Sequence, residues 1–219
     1  FALTPAERTP TPRASALALC DVDAALAGVW DDTRRQAVAA ALGDAQASEL
    51  QARRVTAVLD LRVDEWRAMV RQTCAQAGSQ APAEPIAACL RRRLAGLRAL
   101  SYALLRAPAG AASRGLVAAW SLPPATSCAD ARATIDAPWY QVDERPLAEL
   151  DRAAVLGALG EVPAALASAR SLAITARENE DLPLQAEALH RQAALERAAG
   201  DPSAAERSLL TALWAAEAS

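Results

Sequence analysis

Alanine constrains this chain more than any other residue. It fills 59 of 219 positions, while aromatic residues make up only 4%. Alanine is the strongest helix former, and strands favour the β-branched and aromatic side chains that are sparse here. The expected fold class is therefore all-α. A hydrophobic content of 53% is too high for a globally disordered chain. The apolar runs are only a few residues long, so no membrane-spanning helix is expected. No basic segment followed by an apolar stretch marks a signal peptide. The first residue is Phe1 rather than Met, as expected of a processed protein or a piece of a longer one.

Charge narrows the range of partners. Every basic residue is Arg, and 23 of them meet 26 acidic residues for a net charge of −3. A mildly acidic chain lacks the basic footprint that nucleic acid requires. The densest basic cluster, Arg91-Arg92-Arg93 with Arg98 on the same predicted helix, reads as a solvated helix face.

Hydrophobic periodicity places the helices. Ser48, Ala52, Val55, Leu59, Val63, Trp66, Val70 and Thr73 recur every three or four residues and predict a helix over 45–77. A second stripe, Ile86, Leu90, Leu94, Leu97, Ser101 and Leu104, predicts a helix over 84–106. The Gly- and Pro-containing stretch between them reads as a turn, giving an antiparallel hairpin. Shorter helices are expected at 14–28, 31–42 and 110–121, with Asp31 or Asp32 capping the second and Gly43 ending it. Residues 1–14 read as a Pro/Thr-rich linker, 15–138 as a Cys-containing helical bundle, and 139–219 as a repeat region.

Four cysteines, Cys20, Cys74, Cys89 and Cys128, admit three readings: buried thiols, two disulfides, or a four-cysteine metal site. No pair has the C-x-x-C spacing of a zinc ribbon or a thioredoxin-like motif. Cys74 lies four residues before Gly78 and Cys89 four residues after Pro85. On that reckoning the two are level across the hairpin, so the expected bridges are Cys74–Cys89 and Cys20–Cys128.

The C-terminal part repeats at a spacing of 40 residues. Gly160 and Gly200 correspond, as do Ala164-Ala165 with Ala204-Ala205 and Ser168 with Ser208. Each Gly separates two helical patterns, 147–159 from 162–178 and 183–199 from 202–217. Small residues at such positions let stacked helices approach closely. The pattern resembles the tetratricopeptide repeat, with three departures: the period is 40, Gln192 and Glu196 stand at apolar positions, and two repeats are fewer than the three a stable stack normally needs.

Catalytic chemistry has little support. The lone histidine, His190, has no nucleophile motif around it, and no glycine-rich loop could cradle a phosphate. Adjacent acidic pairs such as Asp31-Asp32, Asp64-Glu65 and Asp143-Glu144 diverge by about 100° on a helix and read as caps and solvated faces. No catalytic residue, metal or cofactor is expected. The five tryptophans, spread one per element, read as core anchors; Trp139 beside Tyr140 in the Pro-rich 122–146 segment is also the one candidate aromatic binding patch, with packing the favoured reading.

Taken in order, Cys20, LAGVWDDTRR (26–35), RQTC (71–74), CLRRRLAGLRAL (89–100), LPPATSCAD (122–130) and the repeats resemble one family. That family is the C-terminal, extracytoplasmic region of myxobacterial-type transmembrane serine/threonine protein kinases. The resemblance implies a non-catalytic sensor region, periplasmic or at the cell surface, with the kinase domain and membrane helix outside these residues. It implies a peptide or protein ligand on the repeat surface and a possible homo-oligomer. By analogy with inward-facing repeat positions, Glu187, His190 and Arg197 are the candidate groove residues. Two other readings stay open: a cytoplasmic tetratricopeptide-type adaptor with reduced thiols, and a small helical enzyme.

Overall fold

The computed structural model describes residues 18–45, 47–77, 83–106, 111–129 and 144–219. Among these residues the architecture is all-α, with no strand. The helices are α1 (Val22–Leu26), α2 (Asp32–Asp44), α3 (Glu49–Ala77), α4 (Glu84–Leu104) and α5 (Ala111–Ser121). A 3-10 turn follows (Ala125–Ala129), then α6 (Glu144–Ala158), α7 (Val162–Glu178), α8 (Leu182–Ala198) and α9 (Pro202–Glu217). The 1–14 linker and the Trp139-Tyr140 pair lie outside the described residues.

Local chemistry sets the helix starts. The Asp21 carboxylate accepts from the Ala24 N–H at the start of α1. Asp31 accepts from the Arg34 N–H to cap α2, and its other oxygen accepts from the Gly28 N–H at 2.7 Å. Those backbone donors, Arg34 first and then Gly28, hold the Asp31 carboxyl below its ordinary pKa. Ser48 and Gln51 exchange side chain-to-backbone bonds ahead of α3, a capping box. Ser48 is thus a cap and not part of the buried stripe. Gly43 lies inside α2, which runs one residue further, to Asp44.

The stripe Ala52, Val55, Leu59, Val63, Trp66, Val70 and Thr73 is buried on α3, and Leu90, Leu94, Leu97, Ser101 and Leu104 are buried on α4. Trp66 is fully buried, and its indole N–H donates to the Leu90 carbonyl at 2.9 Å. Trp30 is also core, donating to Asp60, which the Arg35 guanidinium grips as well. Trp120 and Trp214 are exposed, so the reading of every tryptophan as a core anchor does not hold.

Two disulfides staple the bundle, with pairing different from that expected. Cys20 bonds Cys74, and Cys89 bonds Cys128. The expected pairing took Cys74 and Cys89 to be equidistant from the turn. The Trp66–Leu90 bond sets another register, in which the residue level with Cys89 is about Arg67. That lies seven residues from Cys74, about 10 Å along the axis, beyond disulfide reach. Instead the 3-10 turn packs on α3 and α4 and brings Cys128 to Cys89. The chain just before α1 reaches the end of α3 and brings Cys20 to Cys74. Both bridges use all four sulfurs, which removes the metal-site and free-thiol readings.

The repeat region consists of two helical hairpins, α6–α7 and α8–α9. Its true local period is 20, half the spacing read from the glycines. Gly160, Glu180 and Gly200 all adopt positive φ. After each, the next N–H reaches back five residues: Glu161 to Leu156, Asp181 to Ala176, and Asp201 to Glu196. This is a Schellman ending repeated three times, each followed by a helix with Pro in its first turn. Alanines 153, 165 and 169 with Leu195 fill one small core, and Leu147, Leu150, Leu172 and Leu184 anchor another. Val155 and Leu159 of α6 belong instead to the main bundle core. Bundle and repeats therefore share a hydrophobic interior.

Non-reducing peptide mapping is expected to recover Cys20–Cys74 and Cys89–Cys128. Loops of 54 and 39 residues imply up to about 4 kcal/mol per bridge from chain entropy. A Cys20→Ala/Cys74→Ala pair should therefore lower the midpoint of thermal unfolding well below that of the parent. Gly200 has open space where a Cβ would stand, so Gly200→Ala should cost about 1 kcal/mol by conformation alone. Glu180→Gly, relieving a non-Gly left-handed residue, should shift stability the other way.

Candidate functional site

The bundle meets the repeats where α4 packs on α6. Leu90, Leu94 and Leu97 turn toward the bundle core, which leaves Arg92 and Arg93 facing the repeat helices. Arg92 meets Asp151 of α6 at 3.5 Å and Glu187 of α8 at 2.6 Å, with its side chain only 11% exposed. Arg191 approaches the same Glu187 at 3.8 Å. The arginine run is therefore not a solvated face. Its carboxylate partners lie 59 and 95 residues away in sequence, where helix periodicity could not reveal them.

Burial opposes the charge on Arg92, but Asp151 and Glu187 outweigh it and raise its pKa above the ordinary value. Burial also pushes Glu187 up, and the Arg92 charge and hydrogen bond overcome that and hold it low. For Asp151 burial dominates despite Arg92, and its pKa rises. Arg93 is lowered by burial and by the like charge of Arg92.

Beside this network lies a cleft of about 510 Å³ between bundle and repeats. Leu97 and Leu122 from the bundle and Val155 and Leu195 from the repeats give it apolar walls. Arg197 lines it; His190 does not, and is exposed on α8. The three candidate groove residues thus separate. Glu187 is bound into the ion network, Arg197 sits at the cleft, and His190 faces solvent. Arg62, Arg93, Asp151 and Arg191 are the cleft residues that the sequence reading missed.

The two polar departures from the repeat pattern form a second network. Glu196 is buried, and it accepts from the Ser208 hydroxyl at 2.7 Å, the Gln192 amide at 2.9 Å and the Arg170 guanidinium at 3.1 Å. Gln192 also donates to Ser208. One carboxylate thus links α7, α8 and α9. Burial raises its pKa, but these hydrogen bonds and the Arg170 charge prevail and keep it low.

A third feature lies on α9. Its inward residues are small: Ala204, Ala205, Ser208, Ala212 and Ala215. Its large apolar residues, Leu209, Leu210, Leu213 and Trp214, point outward, with Trp214 65% exposed. A helix apolar on both sides is ordinarily covered on both sides.

Among the described residues no group of three or more His, Cys, Asp or Glu is placed to hold a metal ion. No described helix is long and apolar enough to cross a membrane. No protein-family model matches the chain, and neither a curated protein nor a solved structure is significantly similar to it.

Glu196 generates a signed pH prediction. A carboxylate whose folded pKa is depressed stabilises the fold above its unfolded pKa and loses that contribution as pH falls through the folded value. Glu196→Gln should cost about 1–2 kcal/mol at pH 7. Denaturant titrations across pH should show the gap to the parent closing below the ordinary Glu pKa of 4.5. A gap that persists unchanged to pH 3 would show that the charge on Glu196 is not what stabilises the junction.

Proposed function

We propose that this chain is a non-catalytic sensor and protein-interaction region of a receptor-type serine/threonine kinase, outside the cytoplasm and tethered by a membrane helix beyond these residues. Its ligand is a peptide or protein that docks on the helical hairpins, which on this reading are tetratricopeptide-like. The observation that carries this reading is the outward apolar stripe of α9. Leu209, Leu210, Leu213 and Trp214 stand exposed on the last helix of the hairpin stack, and a contiguous exposed apolar patch marks an interaction surface. An amphipathic helix offering its own apolar face is the chemistry that fits.

The two disulfides support the compartment. They are the mark of an oxidising environment and would open in a reducing cytoplasm, which weighs against a cytoplasmic adaptor. The kinase assignment rests on the sequence motifs from Cys20 to Asp130. On this reading, ligand binding draws two chains together and biases trans-phosphorylation by the kinase domains inside.

Selection of displayed amphipathic peptides on the disulfide-bonded chain tests the surface. Peptides are expected to enrich and to lose at least about tenfold in affinity against Leu213→Glu/Trp214→Glu, a loss of about 1.4 kcal/mol. Peptides that bind the variant equally well, or no enrichment at all, would sink the reading. Light scattering run alongside distinguishes a second copy of the chain as the occupant: parent dimers that the variant abolishes would give that answer.

A further inference from the structure

The charged side chains that line the junction cleft are mostly cationic. Five guanidinium groups line it, those of Arg62, Arg92, Arg93, Arg191 and Arg197, against one lining carboxylate, Asp151. Among the described residues, Asp151 and Glu187 touch Arg92, Glu187 also approaches Arg191, and Glu65 pairs with Arg62 at 3.0 Å.

Arg93 is the least satisfied of the four that are not exposed to solvent. Among the described residues it has no ion pair, and its one hydrogen bond goes to the Ser127 hydroxyl at 3.3 Å. Its Nε is buried without a partner, as are the Nε atoms of Arg62 and Arg191. The Asp151 Oδ2 is likewise unpartnered, but its Oδ1 is held against Arg92. A half-buried guanidinium without a carboxylate partner carries a desolvation cost and cannot shed its proton to relieve it. Bound oxyanion oxygens would satisfy these donors in the two-pronged geometry that guanidinium groups favour.

Size and lining define the rest of the ligand. A volume of about 510 Å³ falls within the range of small-molecule sites and exceeds what a bare oxyanion fills. The apolar wall of Leu97, Leu122 and Leu195 calls for a compact organic body. We propose that this cleft binds a small organic dianion, a phosphate monoester or a dicarboxylate. Its charged head sits among Arg93, Arg191 and Arg197, and its body lies on the leucine wall. The site is separate from the α9 surface, and its failure would leave that reading untouched.

Calorimetry on the intact disulfide-bonded chain tests this with three probes: phenyl phosphate, phthalate and inorganic phosphate. Phenyl phosphate or phthalate, or both, should bind with Kd of about 10–100 μM and about tenfold more tightly than inorganic phosphate. Whichever of the two binds more tightly identifies the head group. Arg93→Gln and Arg197→Gln should each weaken binding at least about tenfold. Arg53→Gln, at an exposed pair with Glu49, should leave it unchanged. Arg93→Gln removes a half-buried charge that has no ion pair among the described residues, so it should also raise the unfolding midpoint of the free protein by a few degrees, about 2–4 °C. Binding and stability then move in opposite directions, which a merely structural arginine would not produce. Arg197 is exposed, so its variant remains informative if Arg93→Gln misfolds. No binding of either organic probe up to about 10 mM, a Kd that weak being worth less than about 3 kcal/mol, would overturn the proposal. So would equal affinity in Arg197→Gln and the parent.

Discussion

Arg92 on α4 reaches Asp151 on α6 and Glu187 on α8, and the placement of the repeats on the bundle follows from that three-helix contact. Removing one member of such a group leaves the others charged, buried and unpaired, which costs more than the pair contributes. The contact therefore acts mainly by specificity. Other dockings of two alanine-rich faces would bury similar area, but they would strand Arg92. Val155 and Leu159 then enter the bundle core beside it, and apolar packing follows the docking that the charges select.

Alanine shapes how the remainder is held. A helix surface of alanines permits close approach, as at Ala153, Ala165 and Ala169, but each methyl removes little apolar area from water. Stability then depends on a few large anchors and on devices other than area. Trp66 supplies burial and a directional bond to Leu90. The disulfides restrict the unfolded chain, and aspartates at four helix caps, Asp21, Asp31, Asp181 and Asp201, satisfy helix-start donors. Glu196 does for α7, α8 and α9 what Arg92 does between the two halves.

Helix positions were legible because their signals are local. Periodicity and caps located α3, α4 and the four repeat helices to within a few residues. What depended on distant parts of the chain was not legible. The disulfide pairing turned on the axial register set by Trp66 and Leu90, and equal distances from a turn misjudged it by seven residues. The 20-residue period was hidden because Glu180 takes the left-handed turn position that Gly160 and Gly200 take elsewhere. Glu187 read as a ligand-groove residue and the arginine run as a solvated face, since their pairing spans 95 positions of sequence. Zero lysine was legible throughout, and the cleft gives it a consequence: every basic group there is a planar donor that stays charged when buried.

The helix α8 joins the two surfaces. Arg191, Leu195 and Arg197 line the cleft, while Gln192 and Glu196, interleaved with them, bond to Ser208 of α9. The opposite side of α9 carries Leu209, Leu213 and Trp214. An arginine rearranged at the cleft thus sits one residue from a side chain that fixes α9. Packed helices shift as units because their interiors tolerate few intermediate arrangements. The polar residues that break the repeat pattern at 192 and 196 therefore stand where the ion-lined junction and the outer apolar face are mechanically closest.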